Sequence, residues 1–513
     1  MFVVVPEASQ KPRPAPGSGS EAERPSRRPV GRLRVRLPRP SAPLALLLVL
    51  AALSGLAWSV ASAPLTGPDE ANHVAYAQLL AETGSGPSST QGAGPYSTQL
   101  DTALQALNLG PIVGHQEGRP SWSRLSAVSR QLDALPPAAR KNGTGPNAVA
   151  NNPPLYYALE AVAYRLSPDG SLLARLWVMR LVSVVMFVVT VGLTWLIAKE
   201  LFAATWLRVL ATGLVALQPK LAFLCSTVNP DVLLITLSTA FTLAALRLLR
   251  RGPSPGRVAA LALAAGLAPL THGRGFFVVP VAVLVLVIVA IRARPPLREA
   301  LRLGALAAGI VLACVAVAFL YTRSHAAGAF GGEVGRAAEQ RFNLNQFASY
   351  VFQFYFGPLP SLQALGPPYG WRQVFIETFY GTFGSLEVNF GPRIYDALQV
   401  GSAVGLALLG ACVVRRWDAV RRAWPVVMVL AALVACNLFL LHISAYRDLQ
   451  VGGDPLITGR YLLPCVAVWA VAVAWVARSL PRTLGPALAG GLLACFALLD
   501  VGALALTAER FLG

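Results

Sequence analysis

The sequence predicts an all-α, polytopic membrane protein with about eleven transmembrane helices, and three observations support this prediction. Of its 513 residues, 55% are hydrophobic and only 13% are charged, which is too apolar for an ordinary soluble protein. Apolar runs close to the roughly 20 residues that an α-helix needs to cross a bilayer recur along the chain. Basic residues concentrate in alternate connections between these runs, as they do in multi-pass proteins.

The apolar runs begin shortly after residue 40 and continue almost to the end of the chain. Each is interpreted as one membrane crossing, because only a helix satisfies its own backbone hydrogen bonds in lipid. The predicted crossings are 43–62, 177–198, 206–226, 230–249, 258–272, 275–292, 301–321, 396–414, 424–443, 460–478 and 485–507.

The net charge of +19 would favour nucleic-acid binding in a soluble chain, but its distribution excludes that interpretation. With the N-terminus in the cytoplasm, the cytoplasmic segments hold 25 Lys and Arg against 6 Asp and Glu, and the remainder holds 18 of each kind. The positive-inside rule requires this asymmetry. Together with an Ala-, Arg-, Gly- and Pro-rich composition, it predicts a bacterial plasma-membrane protein with a cytoplasmic N-terminus, an external C-terminus and no nucleic-acid partner.

Three regions stand apart from the crossings. Residues 1–41 are rich in Pro, Arg, Ser and Gly and are predicted to be a disordered basic cytoplasmic tail, followed by a transmembrane domain over 42–510. Two outer loops, 63–170 and 322–395, are far longer than ordinary connections, and such loops usually carry function. The first contains predicted amphipathic helices at 69–82, 97–107 and 121–135. The second is rich in aromatic residues, which could rest at the membrane interface or line a groove for a lipid chain or a sugar ring.

The first outer loop opens with a group of polar residues. A helix is predicted to begin at Pro68, so that Asp69, Glu70, His73 and Tyr76 share one face. Adjacent carboxylates and a histidine at a membrane surface point to acid–base chemistry. Acidic residues that merely complement the helix dipole are the structural alternative. The spacing is not His-Glu-x-x-His, and no Gly-x-x-x-x-Gly-Lys-Ser/Thr loop is present, so neither a zincin protease site nor ATP hydrolysis is indicated.

Other polar residues are predicted on the same side of the membrane. Lys220 lies inside the third crossing, where an ionisable group is costly and therefore a functional candidate. For each candidate in this group, the alternative is a purely structural role, such as helix capping or extension of a long side chain toward the lipid headgroups. The remaining candidates lie where crossings begin or end, namely Asn229 and Asp231 at the start of the fourth crossing, His272 and Arg274 at the end of the fifth, and Arg460 and Tyr461 at the start of the tenth.

These residues resemble a known family. The resemblance covers about residues 43–480 and is to the bacterial membrane family called domain of unknown function 2142, which is similar in layout to the GT-C membrane glycosyltransferases. The chain has Asn152 where many GT-C enzymes have the His of a His-Pro-Pro motif. The motifs that carry the resemblance are Pro-Asp-Glu-x-x-His at 68–73, Pro-Pro-Leu-Tyr-Tyr at 153–157, Asn-Pro-Asp at 229–231, Gly-Thr-Phe-Gly-Ser-Leu-Glu at 381–387 and Gly-Arg-Tyr-Leu-Leu-Pro at 459–464.

The resemblance implies a GT-C-like fold and a reaction. The expected activity is transfer of a sugar from a polyprenyl-phosphate donor to a cell-envelope glycan or lipid acceptor, in contact with membrane lipid. The resemblance implies that Asp69 is the general base. Glu70 would orient Asp69 or help to bind a divalent metal ion, and His73 is a third catalytic candidate. The residues expected to bind the lipid phosphate are Lys220, Arg274, Arg460 and Tyr461. Those expected to line the site are Asn152, Asp231 and His272.

Two other functions fit the same residues. A transporter or flippase of a lipid-linked saccharide would use the same cations to bind the same phosphate without turnover. A polysaccharide polymerase or ligase would use another membrane architecture. Whichever holds, a single site requires that Asp69 and Arg460, about 390 residues apart in the sequence, meet in the folded protein.

Overall fold

The computed structural model describes residues 41–88, 92–109, 125–167, 170–325, 342–357, 370–450 and 457–512. These residues are almost entirely helical, and the only β contact among them is a single antiparallel bridge between Phe383 and Val388. The predicted basic tail, except for its last residue, lies outside the described residues. So do 89–91, 110–124, 168–169, 326–341, 358–369, 451–456 and 513, and with them the start of the predicted helix 121–135.

α-Helices make up most of the described chain. In the first half they are α1 (Ala42–Ala61), α2 (Glu70–Thr83), α3 (Thr98–Ala106), α4 (Leu125–Asp133), α5 (Leu155–Leu166), α6 (Leu172–Leu201), α7 (Thr205–Ala216), α8 (Pro219–Leu224) and α9 (Asp231–Arg251). In the second half they are α10 (Pro255–Thr271), α11 (Val278–Ala293), α12 (Leu297–His325), α13 (Leu344–Phe356), α14 (Pro392–Arg415), α15 (Trp417–Arg422), α16 (Trp424–Gln450), α17 (Val466–Ser479) and α18 (Leu484–Leu512).

Short irregular helices complete the described chain. The 3₁₀ segments Gly273–Phe277 and Gly459–Cys465 lead directly into α11 and α17, and a further 3₁₀ turn spans Pro137–Arg140. A π-helical segment, Arg372–Glu377, continues into the helical turn Thr378–Tyr380.

Within the described ranges, nine helical segments are long and apolar enough to cross a membrane. Two shorter apolar helices, α7 and α10, lie at two further positions where crossings are predicted. The all-α, multi-pass prediction is therefore confirmed, with the helix count approximate. The nine segments are α1, α6, α9, α12, α14, α16, α18 and the composite helices Gly273–Ala293 and Gly459–Ser479.

Burial differs strongly between the crossings. In α9, 78% of the most apolar 18-residue window is buried, whereas in α14 the share is 6%. α9 packs against α6, α10 and α11, so it lies inside the bundle while α14 lies at its periphery. The first residue of α9 is Asp231, which the central position of the helix places among the ends of several neighbouring helices.

The end of the bundle at which α1 ends and α2 begins is called the loop end below. Two predicted helices differ there from the structure. α2 begins at Glu70 rather than at Pro68, because Asp69 has a left-handed backbone conformation. The predicted crossing 206–226 is broken after Leu217, since Pro219 starts a new short helix, α8, with the Gln218 side chain as its N-cap. α5 and α13 have no counterpart among the predicted helices.

Candidate functional site

The turn that leads into α2 is held in a strained conformation. Asp69 has φ 55° and ψ 18°, a left-handed conformation that Asp and Asn tolerate better than most other residues. Its side chain makes no capping hydrogen bond and is 50% exposed. Strained backbone at a residue with an unused carboxylate is typical of functional sites. Asp69 is therefore presented outward at the loop end rather than used to cap its own helix.

The neighbouring residue, Glu70, has a different environment. Its carboxylate is fully buried and accepts two hydrogen bonds from Arg180 of α6, at 2.8 and 2.7 Å, and one each from the backbone N–H groups of Gly67 and Val228. Such a bidentate, charge-assisted pair is both strong and geometrically specific. The Glu70 carboxylate is thus saturated by donors from three parts of the chain.

Arg180 completes this network. Its guanidinium also donates to the backbone carbonyls of Ser59, Ser62 and Ala63, where α1 ends. Carbonyl groups at the end of a helix lack partners within the helix, and a buried arginine satisfies them here. The Glu70–Arg180 pair therefore joins the end of α1, the start of α2 and the middle of α6.

A second charged cluster lies at the start of α9. Asp231 is buried and accepts a hydrogen bond from Arg274 at 3.1 Å. Its position is fixed by Asn229, whose side-chain oxygen accepts from the Asp231 N–H at 2.9 Å and whose amide donates to the Pro68 carbonyl at 3.0 Å. The start of α9 is thereby tied to the turn that carries Asp69.

Arg274 lies in the 3₁₀ segment between α10 and α11. The His272 ring accepts a hydrogen bond from the Arg274 N–H at 3.1 Å and so caps this segment. The Arg274 guanidinium carbon lies 3.3 Å from the centroid of the Tyr461 ring, a close cation–π contact. Stacking on Tyr461 and pairing with Asp231 fix the direction of this guanidinium.

Arg460 connects the two sides of the site. It lies in the 3₁₀ segment before α17, and its Nη2 atom is 3.6 Å from the Asp69 carboxylate, while its Nε atom is 3.8 Å from Asp231 Oδ2. The preceding Gly459 packs so closely on the backbone of Phe375 and Phe379 that a Cβ atom would lie 2.7 Å from it. The expected meeting of Asp69 and Arg460 is thus present in the fold.

Hydrogen bonding in this second cluster is incomplete. The 3.8 Å between Arg460 Nε and Asp231 Oδ2 is too long for a hydrogen bond. Both atoms are buried, and neither has another hydrogen-bond partner among the described residues. Buried polar atoms in native proteins normally have a partner. The cluster therefore combines a guanidinium with an unused hydrogen-bond donor and, beside it, the exposed Asp69 carboxylate. An oxyanion ligand, or water in its place, would supply the missing hydrogen bonds.

His73 and Tyr76, one and two turns along α2, face α5 instead of the arginines. Tyr157 lies between them: its hydroxyl is 2.9 Å from His73 Nδ1, and its ring stacks on Tyr76 with a 3.7 Å centroid distance. The Asn152 side chain donates to the same hydroxyl at 2.9 Å. The four-residue face predicted for α2 is therefore divided, because Glu70 faces inward to α6 and Asp69 precedes the helix.

Burial keeps this group uncharged. It lowers the pKa of His73 from 6.5 to about 4, against opposing effects of Asp69, Asp231 and Glu70, and it raises the pKa of Tyr157. Since Tyr157 accepts from Asn152 and keeps its own proton, it can donate to His73 Nδ1. The imidazole then carries its proton on Nε2 at neutral pH.

Lys220 lies in α8 and is fully buried. Its ammonium group donates to the backbone carbonyl of Thr382, in the Gly381–Glu387 segment, and faces the rings of Phe223 and Phe383. It interacts with Asp231 and Arg460 through space only. Lys220 thus lies behind the cluster, not at its surface.

The predicted ligands for a divalent ion do not fit one. Both oxygens of Glu70 already accept hydrogen bonds and the residue is fully buried, so only Asp69 remains. In the part of the chain that the structure describes, no three His, Cys, Asp or Glu side chains lie close enough together to hold a metal ion.

Most of the predicted site residues come together, and two important partners were missed. Asp69, Asp231, His272, Arg274, Arg460 and Tyr461 form one cluster, His73 and Asn152 lie beside it through Tyr157, and Glu70 and Lys220 lie beneath it. Neither Arg180 nor Tyr157 was predicted. A charged residue within an apolar run could have pointed to Arg180, as it did for Lys220. Tyr157 stands in the Pro-Pro-Leu-Tyr-Tyr motif.

The described helices and their apolar composition define a multi-pass α-helical membrane protein. Residues 52–469 match the family model "Predicted membrane protein (DUF2142)", and the chain belongs to this family. The resemblance expected from the motifs is confirmed. No curated protein matches the chain.

The fold is similar to several solved structures. ArnT from Cupriavidus metallidurans bound to undecaprenyl phosphate is 14% identical with a TM-score of 0.44, over 92% of this chain and 75% of ArnT. The oligosaccharyltransferase AglB from Archaeoglobus fulgidus with an inhibitory peptide and a dolichol-phosphate is 14% identical with a TM-score of 0.46, over 91% and 55%. The protein O-mannosyltransferase Pmt1-Pmt2 complex of S. cerevisiae, bound to the sugar donor, gives 12% and 0.33, over 56% and 34%.

Proposed function

We propose that this protein is a membrane glycosyltransferase that transfers a sugar from a polyprenyl-phosphate donor to a hydroxyl group of a cell-envelope acceptor. One observation carries the proposal. The half-exposed carboxylate of Asp69 lies 3.6 Å from the guanidinium of Arg460, which has a buried donor without a hydrogen-bond partner among the described residues. A proton acceptor and an anion-binding group thus lie side by side at the loop end.

Asp69 is the proposed general base. It accepts the proton of the acceptor hydroxyl while that oxygen forms a bond to the anomeric carbon of the donor sugar. The bond between the anomeric carbon and the phosphate oxygen breaks, and polyprenyl phosphate leaves with the bonding electron pair. A single displacement of this kind inverts the anomeric configuration, through a transition state with oxocarbenium character like that of glycoside hydrolysis.

The leaving phosphate is assigned to the two arginines. Arg460 binds it with the side of its guanidinium that lies beside the half-exposed Asp69, and Arg274 adds a second positive charge held in place by Asp231 and Tyr461. Fixed cations aimed at developing negative charge stabilise a transition state without reorganising during the reaction. Lys220, in its protonated form, adds positive charge from beneath. Undecaprenyl phosphate and dolichol-phosphate, the lipids bound in the ArnT and AglB structures, belong to this substrate class.

The remaining site residues are assigned positioning roles. Glu70 anchors the turn that presents Asp69, which favours the orienting role over the metal-binding one. His73 and Asn152, joined through Tyr157, form a neutral wall beside Asp69, and His272 fixes the backbone of Arg274. No step of the proposed reaction is assigned to a metal ion.

The proposal places the loop end outside a bacterial plasma membrane, with the N-terminus in the cytoplasm and the C-terminus outside, as the distribution of basic residues favours. In intact cells, a membrane-impermeant thiol reagent should label a Ser85→Cys variant and leave a Ser254→Cys variant unlabelled. Labelling of the second position alone would reverse the orientation.

The function is tested by turnover. Purified protein in lipid nanodiscs is incubated with radiolabelled polyprenyl-phosphate sugars and cell-envelope extract, and both glycosidic product and released polyprenyl phosphate are measured. Wild-type protein should give both in equal amounts, and Asp69→Asn should give neither at a comparable rate. Saturable binding of the lipid without product in either protein would instead favour a transporter or flippase.

A further inference from the structure

α13 is a short helix without charged residues in the second long predicted loop. Its sequence, Leu-Asn-Gln-Phe-Ala-Ser-Tyr-Val-Phe-Gln-Phe-Tyr-Phe, spans 13 residues. At 1.5 Å per residue it is about 20 Å long, too short to cross the roughly 30 Å hydrocarbon layer. α13 nevertheless carries aromatic and aliphatic side chains on two of its faces.

One face of α13 packs on the membrane-spanning helix α16. Phe347 packs edge-to-face against Phe439, with ring centroids 6.1 Å apart. The hydroxyls of Tyr350 and Tyr355 lie 3.2 and 2.9 Å from the two ring nitrogens of His442, so the imidazole is held between them. These contacts fix which way the helix faces.

The opposite face has no partner among the described residues. Leu344, Phe352 and Phe356 are 67, 41 and 78% exposed, and Ala348 between them is exposed as well. The four residues are spaced every four positions, so they form one continuous stripe, referred to as the α13 stripe. Burying a large apolar side chain contributes about 1.5–3 kcal/mol, so leaving this stripe in water would be costly.

The depth of α13 follows from its contacts with α16. α16 begins at Trp424, two residues after Arg422, the last residue of α15. We take Trp424 as the boundary of the hydrocarbon layer at the end of the bundle opposite the loop end, because Arg421 and Arg422 precede it and Trp is enriched at membrane interfaces. From Trp424, Phe439 lies about 22 Å along the helix and Tyr446 about 33 Å. A hydrocarbon layer of roughly 30 Å therefore ends between the two residues that α13 contacts. α13 lies at the edge of the hydrocarbon layer at the loop end.

We propose that α13 is a membrane-surface helix whose stripe is buried among the lipid acyl chains of the leaflet at the loop end. The occupant is lipid because Leu344, at one end of the stripe, lies one helical turn from the buried Phe347, which packs on Phe439 of a membrane-spanning helix, and Phe439 is itself 57% exposed. Aromatic residues are enriched at the membrane interface, as they are in α13. α13 needs no charged face of its own, because the face turned away from the stripe packs on α16.

This contact is linked to the candidate site. Phe354 of α13 packs edge-to-face on Phe375, with ring centroids 5.6 Å apart, and the Phe375 carbonyl lies against Gly459, next to Arg460. A membrane-held α13 therefore fixes the level of Arg460 relative to the lipid headgroups.

The inference is tested by spin labelling in vesicles of phosphatidylethanolamine and phosphatidylglycerol. In a variant with all six cysteines replaced, nitroxide labels are placed by Phe352→Cys and Phe356→Cys. Phe439→Cys provides the lipid-facing reference, and Gln346→Cys, at an exposed position on another face of the same helix, provides the matched control. Collision with oxygen, which partitions into lipid, is compared with collision with a water-soluble nickel chelate.

Labels at 352 and 356 should favour oxygen over the nickel chelate at least severalfold more than the label at 346, and approach the value at 439. Equal access of the chelate to 352, 356 and 346 would show a water-exposed stripe and overturn the proposal. Exclusion of both reagents would show a protein contact and overturn it as well. The measurement requires no turnover, so its outcome is independent of the proposed transferase activity.

Discussion

Two charged clusters lie within one turn of each other at the start of α2, and they differ in how completely their hydrogen bonds are formed. The Glu70–Arg180 pair is 0 and 1% exposed, and both carboxylate oxygens accept two hydrogen bonds. In the cluster of Asp69, Asp231 and Arg460, the ion pairs are 3.6 and 3.8 Å long, and Asp69 is 50% exposed.

The difference separates a structural pair from a candidate binding group, although Asp69 and Glu70 are adjacent in the sequence. A buried ion pair with every atom satisfied has no group left for a ligand, and breaking it is expensive. A cluster with unfilled donors and an exposed carboxylate has such groups. The comparison predicts that substitutions in the first cluster reduce stability and those in the second reduce activity.

The largest expected effect is that of Asp69→Asn on transfer. Asn tolerates the left-handed conformation of this residue and keeps its size, but it cannot accept the proton, so folding should be unchanged. The transfer rate should fall by about 10²–10⁴-fold, the usual range for loss of general acid–base assistance. The rate per folded molecule is measured with labelled donor lipid.

The matched control for this substitution is Asp101→Asn, on the exposed surface of α3, which should leave the rate unchanged. An Asp69→Asn protein with wild-type turnover would remove the base from the proposal, whatever the fold.

Glu70→Gln should have the opposite outcome. It leaves the Arg180 charge buried without its carboxylate, and such a loss typically costs about 3–5 kcal/mol of stability. The thermal midpoint in detergent should fall markedly. Asp396→Asn is the matched control, because its pair with Arg372 is 38 and 59% exposed, and losing it should cost about 1 kcal/mol or less. Normal stability with lost activity in Glu70→Gln would reverse the comparison.

Arg460→Lys sharpens the second half of the comparison. The charge remains, but the planar fork that reaches both carboxylates and a ligand is lost. Since hydrogen bonds to charged groups contribute about 1.5–3 kcal/mol, the affinity for undecaprenyl phosphate should fall by roughly 10- to 100-fold. Arg372→Lys, in a more exposed ion pair with Asp396, is the control and should bind normally. Equal affinity in both variants would exclude Arg460 from phosphate binding.

The crossings could be predicted from the sequence because a run of about 20 apolar residues is a local property. The ends of α1, α9 and α14 lie within about four residues of the predicted ones. The break at Pro219 was missed because the apolar character continues through it. α13 was missed because its aromatic residues suggested a surface without indicating its secondary structure.

The site could be predicted only as a set of candidates. Asp69 and Arg460 stood out through residue type and position, and the fold brings them together. The division of labour between Asp69 and Glu70 could not be predicted, since it depends on Arg180, which is 110 residues away from Glu70. Tyr157 is likewise 84 residues from His73. Contacts between residues so far apart in the sequence are determined by how the helices pack. Local sequence patterns carry no information about that packing.

The smallest effect concerns His73, which lies beside both clusters, and it appears as a pH dependence of stability. Burial lowers the His73 pKa from 6.5 to about 4, so between these values the unfolded chain binds a proton that the folded protein does not. Stability is therefore fully present above about pH 6.5 and is lost as the pH falls, by about 1 kcal/mol at pH 5.5 and about 3 kcal/mol at pH 4.

Gln at position 73 cannot titrate, so the thermal midpoint of His73→Gln should fall less steeply than that of the wild type between pH 7.5 and 5. His115→Gln, which removes a histidine elsewhere in the chain, serves as the comparison. Identical slopes for His73→Gln and the wild type would mean that the imidazole is already solvated or charged in the folded protein, and the neutral wall assigned beside Asp69 would then be wrong.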